Sequence, residues 1–260
     1  NFTMAGIRFW PEMRGLDESF LQKAAQFKQI VPVFTNVIFD TSQVHANTIF
    51  PDMFVWLVAV LKIIRNHPET LFVIRAHPDE MRPNKKSEDN VRGWAEKNKV
   101  ESLPNVVFVD STVMLSSYDL IQRSKFVMVY NSSIGLEASL MGAAVLCGGK
   151  ARYTQYPTVF YPATIAEFNA QAENFLQAKN IEVPAEFRRQ ARRFLYYQLY
   201  MTSLPFGDFL EEHQRPGFVR LREFDLDRLD AERSATMRVI LDGILKGSEF
   251  IISDTDNQAA

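Results

Sequence analysis

Two adjacent hydroxyls, with an asparagine before them and a glycine and a glutamate after, are residue types able to hold a phosphate. They stand together in Asn131-Ser132-Ser133-Ile134-Gly135-Leu136-Glu137. The apolar run Phe126 to Tyr130 stops at Asn131, and Ile134, Ala138 and Met141 then recur at helical spacing, so the segment reads as strand, tight turn, helix. Ser132 or Ser133 is the expected N-cap. With Ser133 as cap, the capping-box position falls on Leu136, which leaves Glu137 for another partner. Gly135 costs about 1 kcal/mol against Ala in a first helical turn and lets a neighbouring group approach the backbone closely. Bare amides, hydroxyls and a glycine in one turn suit an anion. An ordinary serine cap, with the glycine packed on a strand, is the plain alternative.

A second chemical candidate precedes it. The short strand Leu71 to Arg75 ends in Ala76-His77-Pro78-Asp79-Glu80, and Pro78 holds His77 extended at the strand's tip. An imidazole so placed can donate to a phosphate or act as a general acid, although a lone histidine is as readily structural. His45, His67 and His213 lack such a context and are read as structural.

The elements that must position these residues follow from periodicity. Strands are expected at 30–39, 71–75, 106–109, 126–130 and 144–147, with Pro32 delaying the first until about Val33. Helices are expected at 17–29, 51–66 with Pro51 at its first position, 88–99, 117–122, 164–179, from Pro184 to Tyr200, and 227–245. Strands alternating with helices at this spacing predict an α/β fold: a parallel, Rossmann-like sheet of about five strands with helices on both faces, plus C-terminal helices. Right-handed crossovers then bring every strand's C-terminal end to one rim. Asn36 and Asp40, His77 and Pro78, Asp110 to Thr112, Asn131 to Ser133 and Gly148 to Lys150 all fall there. Ligands of open α/β sheets bind at that rim, and the coincidence favours a phosphate-bearing ligand. Asp40 and Asp110 are candidates for catalytic or acceptor contacts.

The 260 residues are 47% hydrophobic and 23% charged, an ordinary globular composition. Lys and Arg (29) nearly balance Asp and Glu (31), so no overall field draws in nucleic acid. The lone Cys147 cannot form an internal disulfide, and its apolar strand marks it as a small buried hydrophobe. The longest apolar run, Met53 to Ile64, is too short to span a bilayer, and a cytoplasmic location is expected. No carboxylates cluster with histidine at metal-ligand spacing, so neither metal nor cofactor is expected. The Tyr- and Pro-rich loop after Lys150 suits interface packing better than stacking on a base. Three segments are expected: an N-terminal helical segment (1–29), a Rossmann-like domain holding the phosphate-bearing ligand (30–180) and a C-terminal helical extension (181–260). In the last, arginines 188, 189, 192 and 193 precede Tyr196, Tyr197 and Tyr200, an amphipathic helix able to touch a membrane surface or a partner domain.

Ile74-Arg75-Ala76-His77-Pro78-Asp79-Glu80 and Tyr130 to Ala138, with Gly142 and Gly148-Gly149-Lys150-Ala151-Arg152-Tyr153, resemble the donor-binding half of GT-B glycosyltransferases in the bacterial capsule polysaccharide biosynthesis family. Better-known members of that family transfer Kdo from CMP-Kdo. The resemblance runs from about Ile30 to Pro162, and His-Pro and Ser-Ser pairs on successive strand ends also mark bacterial sialyltransferases. It implies one half of a GT-B fold, a nucleotide-sugar-binding domain for a metal-independent transfer, that binds donor without turning it over alone: the acceptor site, for a glycan or glycolipid, lies mainly in an N-terminal domain. Since the chain opens at Asn1 without Met, that domain is expected to be missing from it, with 1–29 as its remnant or linker. It implies a nucleotide phosphate contacted by His77, with Pro78 beside it, and cradled by Asn131, Ser132, Ser133 and Gly135. Glu137 accepts from ribose hydroxyls, Asn36 lines the site, and His77 and Asp40 are the catalytic candidates. Work at the inner face of the cytoplasmic membrane would follow. A UDP-sugar 2-epimerase-like isomerase and a non-catalytic scaffold module are the rival expectations.

Overall fold

Short runs rich in Val, Ile and Phe pair into one parallel sheet: β1 (Gln29–Phe34), β2 (Thr70–Arg75), β3 (Val106–Val109), β4 (Val127–Val129) and β5 (Val145–Cys147). The order is β3-β2-β1-β4-β5. The computed structural model describes residues 14–38, 43–81, 88–215 and 218–252. Described residues up to Ala191 form one compact unit, and those from Arg192 onward form another.

In the first unit the sheet is buried on both faces, as parallel sheets are. One face carries Val31, Val33, Phe72, Ile74, Met128 and Leu146 against Trp56, Leu57 and Ile64 of α3 (Met53–Asn66), Trp94 of α4 (Val91–Lys97) and Phe168 and Phe175 of α7 (Ile165–Gln177). Each such side chain, fully buried, stabilises the fold by about 1.5–3 kcal/mol. The other face carries Leu71, Val73 and Val109 against Phe20 of α1 (Glu18–Ala24) and Leu120 of α5 (Ser117–Gln122). The short α2 (Gln43–Ala46) and α6 (Ile134–Leu140) complete the helices that bear on the rim.

Two prolines sit differently from expectation. Pro32 lies inside the central strand, paired with Val73. The carbonyls of Ile30 and Phe34 accept from Lys125 and Tyr130, on the β4 side, so Pro32, of the same parity, has its nitrogen on that side too. The β4 ladder begins only at Val33–Met128, and the missing donor therefore falls just before it. Pro51 precedes the cap of α3, where the carboxylate of Asp52 accepts from Val55 N–H at 2.8 Å.

The second unit contains an antiparallel pair, β6 (Leu210–Glu212) and β7 (Val219–Leu221), where only helix was expected. Its last helix, α9 (Ala235–Lys246), starts eight residues later than periodicity suggests. Leu226–Leu229 closes a tighter turn of its own, and Ser234 caps α9 by accepting from Met237 N–H. Helix α8 (Ala185–Tyr196) carries the arginines and runs into the tyrosines. Among the described residues no helix is long and apolar enough to cross a membrane.

Candidate functional site

Sheet register assembles the rim. Val109, Arg75, Phe34, Val129 and Cys147 are aligned across all five strands. Two residues further on, Ser111, His77, Asn36, Asn131 and Gly149 leave the same edge. The order reverses between β1 and β4, the switch point at which open α/β sheets leave a crevice. His77 stands one strand to one side of β1 and Asn131 one strand to the other, about 10 Å apart in backbone terms.

The residues at the switch point hold one another. Asn36 is buried, and its side-chain oxygen accepts from Asn131 N–H at 3.2 Å. This bond ties the exits of β1 and β4 and fixes the turn into α6. Across that turn Gly135 N–H bonds to Ser132 O and Leu136 N–H to Ser133 O. The amides of Ser132, Ser133 and Ile134 thus precede the helix's own hydrogen bonds. Ser133 occupies the cap position in right-handed helical geometry, and its hydroxyl makes no capping bond. Ser133 is thus the cap residue, one of the two expected, but without a side-chain capping bond; it is exposed, while Ser132 is buried.

The close approach that Gly135 permits comes from Tyr153. A Cβ at 135 would lie 2.3 Å from the Tyr153 hydroxyl and 3.0 Å from Val129. That hydroxyl donates to Ser132 O at 2.7 Å. Gly135 is therefore a packing glycine beneath the turn, and Tyr153 is a brace for the loop. Beyond the helix, Gly142 adopts φ +88°, a conformation suited to glycine, which ends α6 and redirects the chain into β5.

Glu137 is engaged: the Tyr118 hydroxyl donates to it at 2.5 Å, joining α5 to α6. Burial raises the Glu137 carboxyl above its ordinary range, with the Tyr118 bond opposing. The same bond, with burial, pushes Tyr118 up to about 12. Asp110 is likewise committed. It accepts from Arg92 at 2.6 Å and from Thr112 N–H and hydroxyl at 3.0 Å each. Burial would raise this carboxyl, but those donors together hold it below the usual range, so Asp110 anchors the β3 loop and is not poised as a base.

His77 is half-buried, and its Nδ1 accepts from Asp79 N–H at 3.2 Å as Pro78 opens a single tight helical turn. In the neutral ring that acceptor role puts the proton on Nε2. Asp40 lies outside the described residues. His67 is structural, bonded to Glu69 at 3.1 Å and Glu173 at 2.8 Å. Cys147 is buried, its thiol donates to carbonyls of Tyr130 and Gly149, and burial pushes it up to about 12. Sequence reasoning missed the roles of Tyr118, Tyr153 and Arg92. None has a local signal, since each partner lies on another element.

A doubly wound parallel sheet with polar strand ends gathered at its switch point defines the class as a Rossmann-like α/β binding fold. Within that class, the chain belongs to the capsule polysaccharide biosynthesis protein family, whose model matches residues 10–182. No curated protein matches it. Among solved structures it is similar to the UDP-GlcNAc 2-epimerase of Neisseria meningitidis bound to UDP-GlcNAc, at 16% identity over 70% of this chain and 47% of that one, TM-score 0.43. It is also similar to the beta Kdo 2,4 transferase of Thermosulfurimonas dismutans KpsC, at 10% identity over 69% and 47%, TM-score 0.42. The beta Kdo 2,7 transferase of the same protein matches at 16% identity over 68% and 54%, TM-score 0.39. The chain spans about half the length of these structures.

Proposed function

We propose that this chain is the donor-binding part of a metal-independent glycosyltransferase in capsule or surface polysaccharide synthesis, and that its donor is a CMP-linked sugar such as CMP-Kdo. Membership of the capsule polysaccharide biosynthesis family supports the setting. The observation that carries the reading is the rim row: His77 and the Asn131–Ser133 turn leave one sheet edge on either side of the switch point, and Ser133 keeps its hydroxyl out of the helix cap. In this reading the nucleotide phosphate lies between His77 and that turn. Glycosyl transfer develops negative charge on the departing phosphate, so donors fixed there stabilise the transition state more than the ground state. His77 adds general-acid help. Asn36 serves by holding the turn, Gly135 by admitting Tyr153, and Glu137, oriented by Tyr118, meets the ribose. Acceptor recognition falls to a partner domain, and the basic, tyrosine-bearing α8 docks the assembly at the cytoplasmic membrane face.

Titration calorimetry of CMP, UDP and GDP against the chain tests this. CMP is expected to bind tightest, and His77→Ala or the Ser132→Ala/Ser133→Ala pair to weaken it at least tenfold, the loss of one or two charge-assisted hydrogen bonds of about 1.5–3 kcal/mol each. Tightest binding of UDP, with epimerised UDP-sugar as product, would replace this reading with the isomerase. Absence of all nucleotide binding would leave a scaffold module.

A further inference from the structure

Every residue of β2 is buried, including the arginine that ends it. Arg75 is only 4% exposed. One of its N–H groups donates to the Ser117 hydroxyl at the start of α5, and its carbonyl accepts from both the N–H and the hydroxyl of Thr35 on β1. Among the described residues it has no carboxylate partner. Burial, unopposed by any acid, lowers its pKa to about 10. Arg92, more exposed, is by contrast matched by both Asp110 and Glu101. A buried cation lacking a counter-charge is unfavourable unless something else supplies the charge.

Its position says what that something is. Arg75 lies in the row of strand ends, one strand from the switch point, on the sheet face that carries Leu71 and Val73 against α1 and α5. Next to its partner Ser117, Tyr118 reaches Glu137 at the first turn of α6. The guanidinium is thus held at the start of α5, on the strand-end rim from which His77 and the Asn131–Ser133 turn also leave. A guanidinium has five N–H donors in a planar fork that fits phosphate oxygens, and among the described residues one of them is used, by Ser117. Arg75 as a whole keeps 4% of its surface exposed.

We infer that Arg75 is the fixed cation of the anion site, receiving a phosphate oxygen of the bound ligand through the donors that Ser117 leaves unused. This rests on the donor-binding reading and adds to it the residue that supplies the positive charge. The phosphate can belong to a nucleotide or be free, and the test separates the two.

CMP, inorganic phosphate and cytidine are titrated into the intact chain and into Arg75→Gln, Arg75→Lys and Ser117→Ala, with thermal melting of each protein alone. CMP and phosphate are expected to bind the parent chain, and Arg75→Gln to weaken both by roughly 10- to 100-fold while cytidine binding stays unchanged. Arg75→Lys falls between, because it keeps the charge and loses the fork. The unliganded Arg75→Gln chain is expected to melt no lower than the parent. If a folded Arg75→Gln chain binds CMP as tightly as the parent, the inference is wrong and the donor reading stands. If the parent binds no nucleotide, the donor reading fails, and phosphate alone decides: binding lost with Arg75 keeps the inference, and no phosphate binding overturns it. Should Arg75→Gln not fold, Arg75→Lys and Ser117→Ala carry the test, and unchanged phosphate affinity in both overturns it.

Discussion

Glu80 has its carboxyl buried beneath α4, one oxygen accepting from Val91 N–H at 3.1 Å. Burial raises it to about 7, the Val91 bond opposes, and the Asp110 charge adds to the rise. The native state therefore keeps a proton that the unfolded chain releases near 4.5, so stability falls as pH rises from there to about 7. The loss from this group is about 3 kcal/mol in all. Urea melts at pH 5 and pH 8 are expected to show the parent chain losing about that much more stability than Glu80→Gln; equal losses would contradict it. In sequence Glu80 reads as one more charge after His77, because burial by α4 cannot be seen from neighbours along the chain. The same limit hid the commitments of Glu137 to Tyr118 and of Asp110 to Arg92. Residue types at strand ends were legible, and the partners that occupy them, drawn from other elements, were not.

At the scale of the element, α6 is governed by the contact beneath it. Gly135→Ala gains about 1 kcal/mol of helix propensity. It also drives a methyl to within 2.3 Å of the Tyr153 hydroxyl, which must then abandon Ser132 O. Overpacking and a lost buried hydrogen bond outweigh propensity, and the variant is expected to be less stable by about 2–4 kcal/mol. In a Tyr153→Phe background the same substitution should cost less, a non-additivity measurable by a double-mutant cycle; full additivity would show that Tyr153 is not the obstacle. Strand positions and the helix 117–122 were readable from periodicity, and the latter is α5 to the residue. Pro32 was misread because its placement turns on where β4 begins to pair, a nonlocal fact. Ser133 stands at the cap position, as its place in the sequence suggested, but the turn closes through backbone bonds and its hydroxyl makes no capping bond.

For the molecule as a whole, alternation of strand and helix was enough to foresee one parallel sheet with its polar strand ends on one rim, because parallel pairing with right-handed crossovers admits no other arrangement of the ends. Strand order, and hence the switch point between β1 and β4, is not written in any local pattern. It places His77 on one side of β1 and the Ser132–Ser133 turn on the other, flanking the point at which such sheets leave a crevice. That crevice as a phosphate site is the central claim. Its most direct measurement is a crystal structure of the chain grown with CMP. The phosphorus is predicted to lie between the His77 imidazole and the amides of the Ser132–Ser133 turn, with the ribose towards Glu137. A nucleotide seated away from the β1–β4 crevice, or a crevice filled by side chains at saturating CMP, would contradict it.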